Sequence, residues 1–327
     1  MTAAPQGTEL GDDTVHEPGD DRRWRESYYF TFYDPARGLG GFSSIGKRPG
    51  SGHTGFVNCL WGPDMPTLLA NGYGQRGDHD DVFDVAGLGY RRHEPHGRWD
   101  LRFDGALNDG GSEIECDPAA LATTESSPLA TVPVSYDLEF VPTHPSYLYA
   151  QRPGWSELFT GHVDQVGRVR GVVRIDGTEV EVDGLAAKDH SWGVRNWFAP
   201  RAWRWIDLVF SGAPPVSLWR ASFDGETWVA DGGVYRDDRP VPMSAFSESI
   251  RTQPRAGKPL PAGIDFTVET AHDRVAVHGE VVRVVPVTFT RDVDGVRQTS
   301  WNDRALVRCT TDGGATGWAN IEFQEQV

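Results

Sequence analysis

Residues 167–184 read GRVRGVVRIDGTEVEVDG. Apolar and polar side chains alternate on both sides of Asp176-Gly177, and alternation sends successive residues to opposite faces of an extended chain. Asp-Gly between two such runs is the strongest short-range hairpin signal. The pattern recurs. VSYDLEF (134–140) sets Val134, Tyr136, Leu138 and Phe140 against Ser135, Asp137 and Glu139. YYFTFY (28–33), WDLRFDG (99–105), WRWIDLVF (203–210), DRVAVHGEVVRVVPVTF (273–289) and GWANIEF (317–323) behave alike, and VSLWRASFDGETWVADGGVY (216–235) holds a second Asp-Gly.

Helices have little room beside these strands. The chain carries 38 Gly and 22 Pro in 327 residues, roughly one breaker every five or six positions. Only DPAALATTE (117–125) reads as a short helix. The expectation is an all-β protein of antiparallel sheets that close or pack face to face. The length suits two domains, with a boundary where RNWFAPRAW interrupts two strand-rich halves: a disordered tail over 1–22, one β domain over 23–187 and a second over 188–327.

Charge and composition narrow the partners. A net charge of −16, from 47 acidic and 31 basic residues, disfavours nucleic acid and anionic membranes, which want clustered Lys and Arg. No window approaches 18 apolar residues, so no membrane span is expected. The three cysteines are isolated and lack a CxxC spacing, which fits a reducing cytoplasm. Tryptophan is abundant, at twelve, and supplies rigid apolar area with a π face that attracts cations.

Chemistry concentrates between 186 and 210. AAKDHSWGVRNW places Asp189, His190, Ser191, Trp192, Arg195 and Trp197 together, and RAWRWIDLVF adds Trp203, Trp205 and Asp207. Three consecutive residues cannot form a nucleophile–base–orienter relay, because an extended chain puts His190 on the face opposite Asp189 and Ser191. The same parity puts His190 with Trp192, and Asp207 with Trp203 and Trp205. A carboxyl among indoles is either on a solvated face or desolvated, and desolvation favours its acid form. Such an acid beside π faces suits protonation of an alkene or loss of water from a tertiary alcohol. Alternatively, Asp207 pairs with Arg204, Arg195 or Arg201, and DHSWG is a tight turn. His79, Asp80, Asp81, His93 and His96 collect in two loop-like stretches, and no metal is assigned to them. Tyr149, in SYLYAQRPG, either lines a cavity or edges a sheet.

DHSWGVRNW (189–197), preceded by DGTEVEVDGLAAK (176–188), resembles the signature of the carotenoid 1,2-hydratase (hydroxyneurosporene synthase) and AttH-like superfamily. ESYYFTFYDPARGLGGFSSIGKRPG (26–50) and RALVRCTTDGGATGWANIEF (304–323) are similar to its bacterial members. The resemblance implies two lipocalin-like β domains with an apolar cavity at or near their junction, and no metal or organic cofactor. Its members include hydratases of isoprenoid or prenyl double bonds and pericyclases of fungal polyketide pathways. The hydratases use a His-x-Trp pair followed by an aromatic-x-Asp pair; His190-Trp192 matches the first and Trp205-Asp207 the second. Trp205 stands where an ionisable Tyr would be expected, and Asp189 is the competing acid.

The combined expectation is a cofactor-independent hydratase or dehydratase acting on an apolar small molecule. Asp207 or Asp189 would donate the proton, Trp192 and Trp205 would stabilise the cation, and His190 would guide water. Trp203, Trp197, Tyr149 and Arg195 would line the substrate site. A cyclase or pericyclase, and a non-catalytic lipocalin-like binder, are the alternatives.

Overall fold

The computed structural model of the chain describes residues 9–75, 82–236 and 239–327. Its strands divide into two sheets, each in its own compact unit. The first unit takes residues 7–148 and 159–195; the second takes 149–158 and 196–327.

The first unit is an antiparallel sheet of eleven strands. Its central strand, Thr178–Val194, pairs with Trp24–Asp34 on one side and with Gly161–Ile175 on the other. The hairpin joining Gly161–Ile175 to Thr178–Val194 is the one read from the sequence. Asp176 and Gly177 both have positive φ, 48° and 76°, as a two-residue turn that matches the strand twist requires. Leu68 and Leu69 of the strand Met65–Gln75 also pair with Asp109 and Asn108 of the strand Trp99–Asp109, tying one wing of the sheet to the other. The enclosed core takes the alternate residues: Phe30, Trp99, Leu138, Phe140, Val169 and Ala186 are all buried.

The second unit is a closed barrel of eight strands in sequence order, from Ala202–Ser211 to Thr316–Gln326. Its first and last strands pair along ten residues, Ala202↔Glu325 through Ser211↔Thr316. Closure leaves no edge strand to template aggregation. Ile206, Leu208 and Phe210 point into the barrel core with Leu218, Val284 and Ile321. FDGETW (223–228) forms a hairpin, but with a longer loop. Asp224 Oδ1 accepts the Glu226 and Thr227 amide protons, and Ser222 pairs with Trp228 across the turn.

Two sequence boundaries differ from the observed ones. The expected division at 187/188 falls inside the unbroken strand Thr178–Val194, because Lys188–Trp192 are paired on both sides, and Gly193 and Val194 on one, with first-unit strands. The expected tail over 1–22 is structured from Glu9: Leu10–Asp13 form a short 3-10 helix, and the Asp13 side chain is fully buried against Lys188. Its polar composition suggested solvation; an ion pair to a distant strand holds it instead. The helix expected at 117–125 is a 3-10 turn, Pro118–Leu121, capped by Asp117. No described helix is long and apolar enough to cross a membrane.

Candidate functional site

Parity in Thr178–Val194 organises the first unit's chemistry. Lys188, His190 and Trp192 face one side together with Glu26 and Tyr28, their partners across the ladder. Asp189 and Ser191 face the other, with Ser27, His162 and Asp164. DHSWG is thus a strand. Its glycine, at φ 118°, lies where a Cβ would stand 2.3 Å from the Thr160 amide nitrogen. A second glycine, Gly161, leaves room for the Trp192 ring: a Cβ there would collide with the indole.

On the first face, Lys188 Nζ donates to Asp13 Oδ1 at 2.6 Å, both side chains wholly buried. Burial opposes the Asp13 charge, but Lys188 and His190 outweigh it and hold the carboxyl below its ordinary range. His190 is 0% exposed. Its Nδ1 lies 2.9 Å from the Asp12 carbonyl, and its Nε2 lies 2.9 Å from Glu26 Oε1. Tyr28 stacks on His190 with ring centroids 4.0 Å apart, and His16 stacks on Trp192 at 3.8 Å. His16 also sends its amide proton to Glu26 and places Nδ1 3.0 Å from Oε1.

On the second face, Asp164 and Asp189 are directly opposed across the ladder, an arrangement in which like charges repel. His162 resolves it. Its Nε2 lies 2.8 Å from Asp164 Oδ1 and 3.8 Å from Asp189 Oδ2. Burial works against the imidazolium, but the two carboxylates overcome it and raise the His162 pKa above 6.5. The Arg195 guanidinium donates to Ser191 Oγ, and its amide to the Arg23 carbonyl.

In the second unit, Trp203, Trp205 and Asp207 occupy the strand face opposite the barrel core, as parity required, and all three are buried. Ser217 Oγ donates to Asp207 Oδ1 at 2.8 Å. That commits the only hydroxyl proton of Ser217, so Tyr149, 3.1 Å away, donates to it. Tyr149–Ser217–Asp207 is therefore a continuous hydrogen-bonded chain. Aromatic rings surround this face: Trp203 meets Trp219 edge-on at 6.3 Å, Trp155 lies 5.7 Å from Trp219, and Trp197 lies 5.9 Å from Trp203. Arg204 instead turns to the barrel side, where it lines a cleft of about 380 Å³ with Lys258, Ile250 and Phe323.

The residues singled out from the sequence thus fall into two sets. Asp189, His190, Trp192 and Arg195 belong to the first unit, with Asp189 and His190 on opposite faces of one strand. Tyr149, Trp197, Trp203, Trp205 and Asp207 belong to the second, where Asp207 and Tyr149 meet through Ser217. Sequence reasoning missed Glu26, His162, Asp164 and Ser217. His162-x-Asp164 carried a usable signal, since i and i+2 share a face in a strand; Glu26 and Ser217 carried none, as their partners lie 164 and 10 residues away. His93 and His96 do not converge: His93 pairs with Asp100, and His96 Nδ1 meets Ser146. His79, Asp80 and Asp81 lie outside the described residues.

The sequence matches, over residues 9–327, the family described as a domain of unknown function, DUF7064. No curated protein sequence matches it. Among solved structures, an AttH-like protein from Nitrosomonas europaea is similar over 98% of both chains, with 15% identity and a TM-score of 0.67. Kievitone hydratase from Nectria haematococca is similar over 91% of this chain and 88% of its own, at 11% identity and a TM-score of 0.57. CghA, solved with Sch210972, is similar over 98% and 94%, at 11% identity and a TM-score of 0.58. These likenesses establish the lipocalin-like β fold.

Proposed function

The chain belongs to the DUF7064 family, and from its fold and its buried relay we propose that it is a hydratase or dehydratase of an apolar small molecule. The observation that carries this reading is the Tyr149–Ser217–Asp207 chain set among tryptophans. In its acid form the Asp207 carboxyl gives its proton to the less substituted carbon of a double bond. The electron pair of that bond forms the new C–H bond and leaves a cation on the neighbouring carbon, which indole faces stabilise. Water adds to the cation, and the oxonium returns a proton to the Asp207 carboxylate. Atoms balance as alkene plus water to alcohol, and dehydration is the reverse.

Tyr149 stands in for the ionisable tyrosine that position 205 lacks, reaching Asp207 through Ser217. Asp189 faces His162, whose proton its two carboxylate neighbours hold more tightly than usual, and a protonated imidazole beside it favours a carboxylate over a proton donor. His190 is enclosed by Asp12, Asp13, His16, Glu26, Tyr28 and Trp192, and we assign it to holding the strand in place rather than to guiding water. The similarity to kievitone hydratase supports the reaction class.

The test is a mass-spectrometric screen against prenylated compounds, apolar alkenes and tertiary alcohols in heavy-oxygen water. A labelled hydroxyl in the wild-type product is expected. Asp207→Asn should lower turnover by roughly 10²–10⁴, the worth of a positioned general acid. Full turnover by Asp207→Asn would overturn the assignment. A product of unchanged mass would favour a cyclase, the second class implied by the family resemblance.

A further inference from the structure

We propose that His16 Nδ1, Glu26 Oε1 and His190 Nε2 form a binding site for one divalent first-row transition metal ion. The three ligands come from separate parts of the chain: the N-terminal segment, the strand Trp24–Asp34 and the strand Thr178–Val194. Their donor atoms nonetheless lie within 4.8 Å of one another. His16 Nδ1 is 3.0 Å, and His190 Nε2 is 2.9 Å, from the same carboxylate oxygen. Tetrahedral bonds of about 2.0–2.1 Å to His and Glu separate ligand atoms by roughly 3.3 Å, so a shift of a few tenths of an ångström admits an ion.

Hydrogen-bond accounting supports a cation there. The Asp12 carbonyl only accepts, so the His190 proton it receives is on Nδ1. That leaves the Nε2 lone pair aimed at Glu26. A ring nitrogen fixed by a backbone carbonyl, with the other free to ligate, is the usual outer-shell device of a metal-binding histidine. The Glu26 carboxylate is oriented in turn by the His16 amide, which donates to both its oxygens at 3.0–3.1 Å. One ion would satisfy the two imidazole nitrogens and the shared oxygen together.

The surroundings suit an ion. Trp192 and Tyr28 stack on the two imidazoles, walling them with apolar surface. Of the nearby positive charges, Lys188 is neutralised by Asp13 at 2.6 Å, and Arg92 donates to the Tyr28 hydroxyl and the Asp13 carbonyl. The His16 side chain is 23% exposed while the other two ligands are sealed, so entry is by way of His16. Two histidines and a carboxylate suit zinc or ferrous iron, and three protein ligands leave a position for water. The site would pin the N-terminal segment to the sheet. It is independent of the reaction proposed above, and its test reads no turnover.

The probe is zinc, added to tag-free, chelator-stripped full-length protein, with metal content read by mass spectrometry and affinity by calorimetry. The expected result is one zinc per chain and a raised thermal midpoint. His16→Ala, at a partly exposed position, should keep the metal-free midpoint yet bind at least tenfold more weakly, since even outer-shell partners are worth roughly 10–100-fold in affinity. Glu26→Gln, which keeps the side chain's shape, should do the same. Wild-type protein that takes up no zinc, or zinc retained equally by His16→Ala, would overturn the proposal.

Discussion

His162 lies beside two carboxylates, Asp164 of its own strand and Asp189 directly opposite Asp164, and its ionisation is therefore coupled to folding. Its folded pKa is raised above the ordinary 6.5. The folded state thus binds the proton more tightly than the unfolded chain does. The stabilisation is fully present below pH 6.5 and is lost as pH rises through the folded value. Thermal midpoints measured across pH 5–9 should fall over that upper window, and the fall should vanish in His162→Gln. A wild-type profile no steeper than that of the variant would show that Asp164 and Asp189 do not charge the ring. The neighbouring positions were legible by parity alone. Alternation put His190 with Trp192 and away from Asp189, and put Asp207 with Trp203 and Trp205. What parity could not say was which partner meets each face. Glu26 reaches His190, and Ser217 reaches Asp207, only once strands pair.

At the scale of the element, Thr178–Val194 owes its position to small residues beside it. Gly161, opposite Trp192, leaves room for the indole. Gly161→Ala should force that ring aside and cost about 1–3 kcal/mol, as overpacking does. Denaturant unfolding would read the cost, and near-ultraviolet circular dichroism the displaced tryptophan. An unchanged midpoint with an unchanged aromatic spectrum would mean that the ring does not rest there. The hairpin at Asp176-Gly177 was legible because the turn demands positive φ at both positions. The true extent of the strand was not. Nothing in the local alternation marks a break between Ala187 and Lys188; pairing with Phe30 and Gln165 and the buried ion pair with Asp13 keep Lys188 in the first sheet.

At the scale of the whole molecule, the chain leaves the first unit at Tyr149, contributes ten residues to the second, and returns at Phe159. Those residues are bound into the barrel's own surface. Tyr149 meets Ser217, the Ala150 amide and Arg152 both donate to Asp231, and Trp155 packs near Trp219. A barrel fragment of residues 196–327 lacks them. Adding a synthetic peptide of residues 149–158 should raise its thermal midpoint, and a peptide with Tyr149→Phe and Trp155→Ala should raise it less. No effect from either peptide would mean that these contacts add nothing to the barrel. The sequence by itself determined the all-β class, the hairpins, the face of each side chain in its strand and the resemblance of DHSWGVRNW. The first three follow from rules that act over a few residues, namely alternation, turn dihedrals and breaker spacing; the resemblance rests on the identity of the residues themselves. The tertiary structure alone decided that the polar N-terminal segment is buried at Asp13, that residues 149–158 join the barrel, and which buried groups meet. Those outcomes depend on pairing between segments far apart in the chain, where burial makes an ion pair or a hydrogen bond compulsory and local composition carries no record of the partner.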